Sequence, residues 1–453
     1  MRSELKLKRD TGSHPKALHQ RFLPAGPASG LYADEPSSCR RDLRRFLPIL
    51  AHLALLLAVT KVYRLEGRAF LILMTVATLA LPVHYILPFS WKKPFFSAVS
   101  IFGMALVFGP LTSACILALG CGLIGLTRLP IAWIWRAAAI ACVAAVFACA
   151  RGGLLPLPLP DLTWPILGSL FMFRMIVYMY ELKHADAPET FGDALAYFFL
   201  LPNFAFVHFP VVDYRTFRRG YFAKDIHESQ SDGLRMMVRG AIHLLLYRLV
   251  YHELLIPPDD VRSIGSLCGF LVCNYLLYLR VSGQFHMACG MLGLFGFNLP
   301  DTHHHYLLAT GFTDYWRRIN IYWKDFMVRV VFNPVVFRLK KRPQALALAV
   351  ATVVVFVVTW ALHAYQSFWL RGSWGFSAPD AIFWGVLGVL VLVNVQLDAR
   401  NPRRSRGCEK TPKGWLIRIL KTAATFATIA VLWSLWSSPS LSAWVAMFRR
   451  AAG

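Results

Sequence analysis

From Ala345 to Trp369 the chain reads Ala-Leu-Ala-Leu-Ala-Val-Ala-Thr-Val-Val-Val-Phe-Val-Val-Thr-Trp-Ala-Leu-His-Ala-Tyr-Gln-Ser-Phe-Trp. A bilayer core takes about 20 residues of helix. This run is longer than that and holds no Asp, Glu, Lys or Arg. It predicts a membrane-spanning helix with one imidazole, His363, inside an otherwise apolar span that continues to Leu370. At a rise of about 1.5 Å per residue, His363 falls roughly two-thirds of the way along. Ionisable groups inside a span are costly and mark functional sites by default. A neutral imidazole costs less, so a hydrogen-bonded packing histidine is the plainer alternative. The neighbours Trp360, Tyr365 and Gln366 predict a polar-aromatic pocket around it.

The same pattern extends outward in both directions. The chain has 453 residues, 57% hydrophobic and 16% charged, where a soluble domain carries about 25% charged residues. Apolar runs fall near 46–62, 69–88, 95–110, 111–127, 130–149, 162–180, 194–210, 236–256, 264–281, 344–370, 379–397 and 415–436. These predict an all-α, polytopic membrane protein with about 11–13 transmembrane helices. A short Gly-rich run, 284–299, reads as a re-entrant or buried half-helix. Four regions follow: a basic, disordered tail over 1–45, N-terminal transmembrane helices over 46–160, a functional core over 161–400, and a basic loop with a last transmembrane helix over 401–453.

Lys and Arg number 48 against 24 Asp and Glu, a net charge of +24. In a soluble chain that excess would suggest nucleic acid. In a membrane protein it is explained by cytoplasmic loops rich in Lys and Arg, which places the basic N-terminus inside. Neither nucleic acid nor a signal peptide is expected. The nine cysteines contain no C-x-x-C pair, so neither a zinc site nor a disulfide framework is indicated.

Most of the unusual polar residues lie between Phe171 and Gln366. Residues 313–326 read Thr-Asp-Tyr-Trp-Arg-Arg-Ile-Asn-Ile-Tyr-Trp-Lys-Asp-Phe. At helical spacing Trp316, Asn320 and Trp323 share one face, with Arg317, Arg318 and Lys324 on its flanks. Read alone, this is an interfacial helix anchored by aromatics and cations. The triple His303-His304-His305 looks like a metal cluster at first glance. Adjacent residues rarely converge on one ion, however, and Asp301 is the sole acid close by in sequence, so no metal is expected.

Taken together, the motifs resemble the membrane-bound O-acyltransferase (MBOAT) family. Gln284 to Pro300, with Leu294-Phe-Gly-Phe297 inside it, is similar to the family's "D-M-A-I-G-…-L-F-G-F-…-P" segment. Thr313-Asp-Tyr-Trp-Arg-Arg-Ile-Asn320 is similar to "T-E-F-W-R-R-W-H", and Thr359-Trp-Ala-Leu-His363-Ala to "G-L-W-H-G-A". Leu201-Pro202-Asn203 through Phe209-Pro210 and Tyr214 resembles the upstream "F-P-x-x-x-x-G-P-I-x-x-Y" element. The likeness covers roughly 170–400 and is nearest to the bacterial branch that modifies envelope polysaccharides. Two positions depart from that branch: Asn320 stands where it has His, and Val212-Asp213-Tyr214 replaces the Gly-Pro-Ile.

The resemblance implies transfer of an acyl group, by default acetyl, from a thioester to a hydroxyl of a cell-envelope glycan or its lipid-linked precursor. It implies His363 as general base, because imidazole titrates near working pH. Asn320 has no basic group; it would donate a hydrogen bond to the thioester carbonyl or oxyanion, or align the acceptor. Arg317, Arg318 and Lys324 would bind phosphates of acyl-CoA or of an acyl carrier protein's arm, or simply follow the inward charge bias. Trp316 and Tyr322 would line the donor path or pack, while Trp360 and Gln366 would surround the base. Implied partners are membrane lipids, the acyl donor, and a second envelope acyltransferase or glycan-synthesis protein in a bacterial inner membrane. No permanently bound cofactor is expected. The alternatives are an acyltransferase for a lipid, peptide or D-alanylated polymer, a lipid or glycan transporter, and a catalytically retired scaffold.

Overall fold

The computed structural model describes residues 41–183, 190–206, 212–400 and 411–453. Among them all regular structure is helical; the one strand-like pairing is an isolated antiparallel bridge between Tyr221 and Phe297. Eight helices are long and apolar enough to cross a membrane: Leu43–Val62, Arg68–Ile86, Trp133–Arg151, Pro165–Leu182, Ile264–Leu294, Gln344–Arg371, Ala378–Arg400 and Pro412–Trp436. The chain is an all-α, polytopic membrane protein.

Eight is fewer than the apolar runs predict, and each shortfall has a local cause. The run near 95–110 belongs to Phe89–Phe108, whose first turns carry Lys92 and Lys93. Pro110–Leu126 has only 17 residues. The run near 194–210 breaks into a short helix, Phe191–Phe198, and a single 3-10 turn, Leu201–Phe204, with Pro202 near its start. That near 236–256 is the second part of Ile226–Leu249, which opens on polar residues. The half-helix expected at 284–299 is instead the continuation of a longer apolar stretch. Helix Leu279–Leu294 follows Ile264–Leu276 after a turn at Leu277 and Tyr278.

Polar side chains set several helix starts. Asp42 accepts from the Arg44 amide at the head of Leu43–Val62, and Thr411 from that of Gly414 at the head of Pro412–Trp436. Such caps satisfy amides that the helix itself leaves open. In Trp133–Arg151, by contrast, Ile140 is the one buried side chain. A 19-residue apolar helix with so little protein against it presents its surface to lipid.

Within the membrane lipid is as apolar as leucine, so helices associate by close packing rather than by escape from water. The same kind of close packing joins Ile226–Leu249 to Leu279–Leu294. A Cβ on Gly290 would lie 2.5 Å from the Gly233 carbonyl oxygen, and one on Gly240 would lie 2.8 Å from that of Gly283. Only glycine permits backbones this near. The pair forms part of a large core drawn mostly from residues 46–297, including Phe70, Phe96, Phe199 and Phe295.

A second core gathers Phe173, Tyr278, Phe356, Phe383, Trp384 and Ile429. Arg329 ties the two cores together. Its guanidinium donates to Glu181 at 2.6 Å and to Asp213 at 3.1 Å.

Beside the second core the exposed segment after Arg371 folds back down its own helix. Trp374 stacks on Phe368 with centroids 4.9 Å apart, and Phe376 meets Trp360 edge-on at 5.3 Å. Helix Ala378–Arg400 therefore starts beside the last third of Gln344–Arg371, short of its end. Further along the antiparallel pair, a Cβ on Gly388 would touch Phe356, and Gln396 donates to the Ala345 carbonyl. This register puts the first turns of Ala378–Arg400 level with His363.

Candidate functional site

His363 is half-buried within the second core, and three tryptophans surround its ring. Trp384 stacks against it at 4.8 Å between centroids, Trp323 lies tilted at 5.3 Å, and Trp436 stands edge-on at 6.1 Å. These rings come from three other helices: Ala378–Arg400, Ile321–Met327 and Pro412–Trp436. Aromatic faces exclude water and attract positive charge.

Asn320 is not on a continuous helix with Trp316 and Trp323. Helix Phe312–Ile319 ends before it and Ile321–Met327 starts after it. The backbone at Asn320 is extended, with φ −149° and ψ 87°. Its Oδ1 accepts the Trp323 amide proton at 3.1 Å, so the asparagine caps the second helix. Asparagine favours this role because its short side chain reaches the open amides of a first turn. Trp323 consequently joins the two residues: its amide is fixed by Asn320 and its ring lies against His363. Despite the break, Trp316 meets the same long helix, tilted against Phe356 at 4.8 Å.

The junction is clamped from behind by the 302–306 loop. The Thr302 carbonyl accepts from Ile321, the Arg318 carbonyl from His304, and Tyr278 donates to the Ile319 carbonyl at 3.0 Å. His303 is buried here, hydrogen-bonded to Tyr278 and Thr302, with its ring 5.7 Å from that of His286. Burial, and after it the neighbouring His286 and His243, holds His303 well below the usual imidazole value. It is a neutral structural group. His304 and His305 are exposed. Among the described residues no three His, Cys, Asp or Glu side chains are placed to hold a metal ion.

The remaining residues picked out in the sequence divide. Trp360 is linked to the cage through Asp380, to which its indole N–H donates, and Gln366 is half-buried one turn beyond His363. Tyr322 is turned elsewhere: its hydroxyl donates to the Pro300 carbonyl at 2.6 Å and lies 3.6 Å from the Cys289 sulfur. It anchors the short helix and does not line a path beside His363. Arg318 donates to Asp314 at 2.6 Å, and Lys324 pairs with Asp325 at 2.5 Å. Both cations are thus partly neutralised within the chain, while Arg317 is exposed. In the upstream element Asn203 is buried and accepts from Arg174, whose guanidinium also donates to the Tyr197 and Phe198 carbonyls. Phe209 and Pro210 lie outside the described residues.

Sequence reasoning missed Asp380, Trp384 and Trp436. A signal for the first was available: between Asp325 and Asp398 the chain has no other Asp or Glu. On comparison with known proteins, no family model and no curated protein matches this chain.

Proposed function

We propose that this protein is an O-acyltransferase, moving an acyl group from a thioester to a hydroxyl, with His363 as general base and Asn320 as hydrogen-bond donor. The observation that supports the reading is that Trp323 touches both residues: its amide donates to Asn320 and its ring lies 5.3 Å from that of His363, the one imidazole of the long apolar helix. Acyl transfer needs a proton acceptor, a donor for the developing oxyanion, and exclusion of water that would hydrolyse the thioester. An imidazole walled by indoles supplies the first, and the NH2 of Asn320 is suited to the second. The aromatic walls serve the third.

The donor is a diffusible acyl thioester, acyl-CoA or an acyl carrier protein, and exposed Arg317 is the cation suited to meet its phosphate. The acceptor in this proposal is a hydroxyl of a cell-envelope glycan, and the protein sits in a bacterial inner membrane with its basic N-terminus in the cytoplasm. The resemblance in sequence motifs supports these finer assignments.

The test uses purified full-length protein in detergent or nanodiscs, given acetyl-labelled CoA and an envelope fraction as acceptor. Label should appear in ester linkage, released by mild alkali, and His363→Ala should abolish it while eluting as a folded monodisperse protein. Full activity in that variant would reject His363 as the base. No transfer by the wild type from either kind of thioester would reject the function.

A further inference from the structure

Asp380 is a carboxylate in an unusual place. It lies in the first turn of an apolar helix, half-buried and level with His363. A carboxylate drawn partly out of water is unfavourable unless something holds it. Among the described residues it takes part in no ion pair. Its two oxygens instead accept one indole N–H each: Oδ2 from Trp360 and Oδ1 from Trp436, the latter at 2.7 Å. The donors come from the helices on either side, Gln344–Arg371 and Pro412–Trp436. Four residues on from Asp380, on the same helix face, Trp384 stacks on His363.

We propose that Asp380 is the positioning residue of the His363 site. This rests on the reading of that site given above, and names the group that fixes it. Hydrogen bonds to a charged acceptor are about twice as strong as neutral ones, and two of them in opposite directions join three helices at one carboxylate. Trp436 cannot turn away from His363 without giving up its bond to Oδ1. Phe383, stacked on Trp436 at 4.9 Å, closes the remaining side. No other acid or base lies near on these helices: residues 345–370, 381–397 and 422–436 contain no Asp, Glu, Lys or Arg. From the fourth side, Ile321–Met327 brings Lys324 and Asp325, which are paired with each other.

The pattern also explains why a carboxylate is needed rather than an amide. Both indoles are donors only, so the group between them must accept twice. An asparagine here would offer one oxygen and one NH2, leaving one indole without its acceptor.

The experiment reads His363 directly and does not depend on acyl transfer. Purified protein is treated with diethylpyrocarbonate, and carbethoxylation of His363 is followed by peptide mass mapping, with exposed His304 and His305 as internal references. In Asp380→Asn, His363 should react about tenfold faster, the factor that corresponds to losing one hydrogen bond to a charged group, while the references stay unchanged. Asp380→Glu, which keeps two accepting oxygens, should restore the slow rate. Trp436→Phe keeps the ring and removes one donor, and should give an intermediate rate; it also serves should Asp380→Asn fail to fold. Indole N–H resonances of Trp360 and Trp436 should lie downfield in the wild type, and one of them should move upfield in Asp380→Asn. Equal His363 rates in wild type, Asp380→Asn and Trp436→Phe would overturn the proposal. If His363 responds as expected but no thioester is consumed by the wild type, the positioning role stands and the acyltransferase reading fails.

Discussion

Replacing Asn320 separates two jobs that one side chain performs. As a cap, it accepts one hydrogen bond of 3.1 Å from the Trp323 amide at a half-exposed helix start. Losing such a cap costs about 1 kcal/mol. As an oxyanion donor it would contribute roughly 3–4 kcal/mol to the transition state, or about 10²–10³ in rate. Asn320→Ala removes both. Asn320→Asp keeps an accepting oxygen for the cap and removes the NH2. The expected result is that Asn320→Ala loses about 1 kcal/mol of stability and falls at least a hundredfold in kcat. Asn320→Asp should hold its stability yet fall as far in activity. The assay is initial-rate transfer of label from acyl thioester, alongside thermal unfolding in the same detergent. Near-wild-type activity in Asn320→Asp, with loss only in Asn320→Ala, would refute the donor role and leave Asn320 as a helix cap that orients Trp323.

Three further outcomes are expected. Gly290→Val should destabilise the Ile226–Leu249 and Leu279–Leu294 pair by about 1–3 kcal/mol, because the new side chain would press on the Gly233 backbone at a Cβ distance of 2.5 Å; an unchanged thermal midpoint would argue against the close packing. Arg329→Met should cost about 1.5–3 kcal/mol, since it takes a charged hydrogen-bond donor from the buried Glu181 and the half-buried Asp213, and Glu181→Gln combined with it should recover part of the loss in a double-mutant comparison of unfolding midpoints. Acid should weaken the Asp213 arm of this tie. Burial pushes the Asp213 carboxyl up, but Arg329 and the Thr216 hydroxyl and amide outweigh it and hold it below 3.8. A carboxyl held below its unfolded value adds stability that is complete above that value and is lost as pH falls through the folded one. Unfolding scans from pH 6 downward should therefore show a loss beginning below about pH 4, and Arg329→Met should remove that step.

Much of the architecture was legible in the amino-acid order. Long runs without charge require helices in lipid, because no water is present there to satisfy an open backbone. The spans around Leu53, Leu73, His363, Leu387 and Ile429 follow from that rule alone. It overcounts where length is right but continuity is not. Pro202 interrupts one run, and the run after Ser282 prolongs the span before it.

The candidate site was half legible. His363 stands out in sequence because an imidazole amid 25 uncharged neighbours is costly to bury, and Asn320 was visible only through the motif around it. The break at Asn320 could not be read from spacing, since Trp316, Asn320 and Trp323 also fit one helical face. It is the Thr302, Arg318 and Tyr278 hydrogen bonds from distant segments that hold the extended backbone there. The tryptophan cage and Asp380 were decided by tertiary structure alone. Sequence locates each apolar helix along the chain, but the depth at which the next one starts depends on how the 372–377 segment packs back on Phe368 and Trp360. That fold-back lowers Asp380 to the level of His363, and no periodicity encodes it.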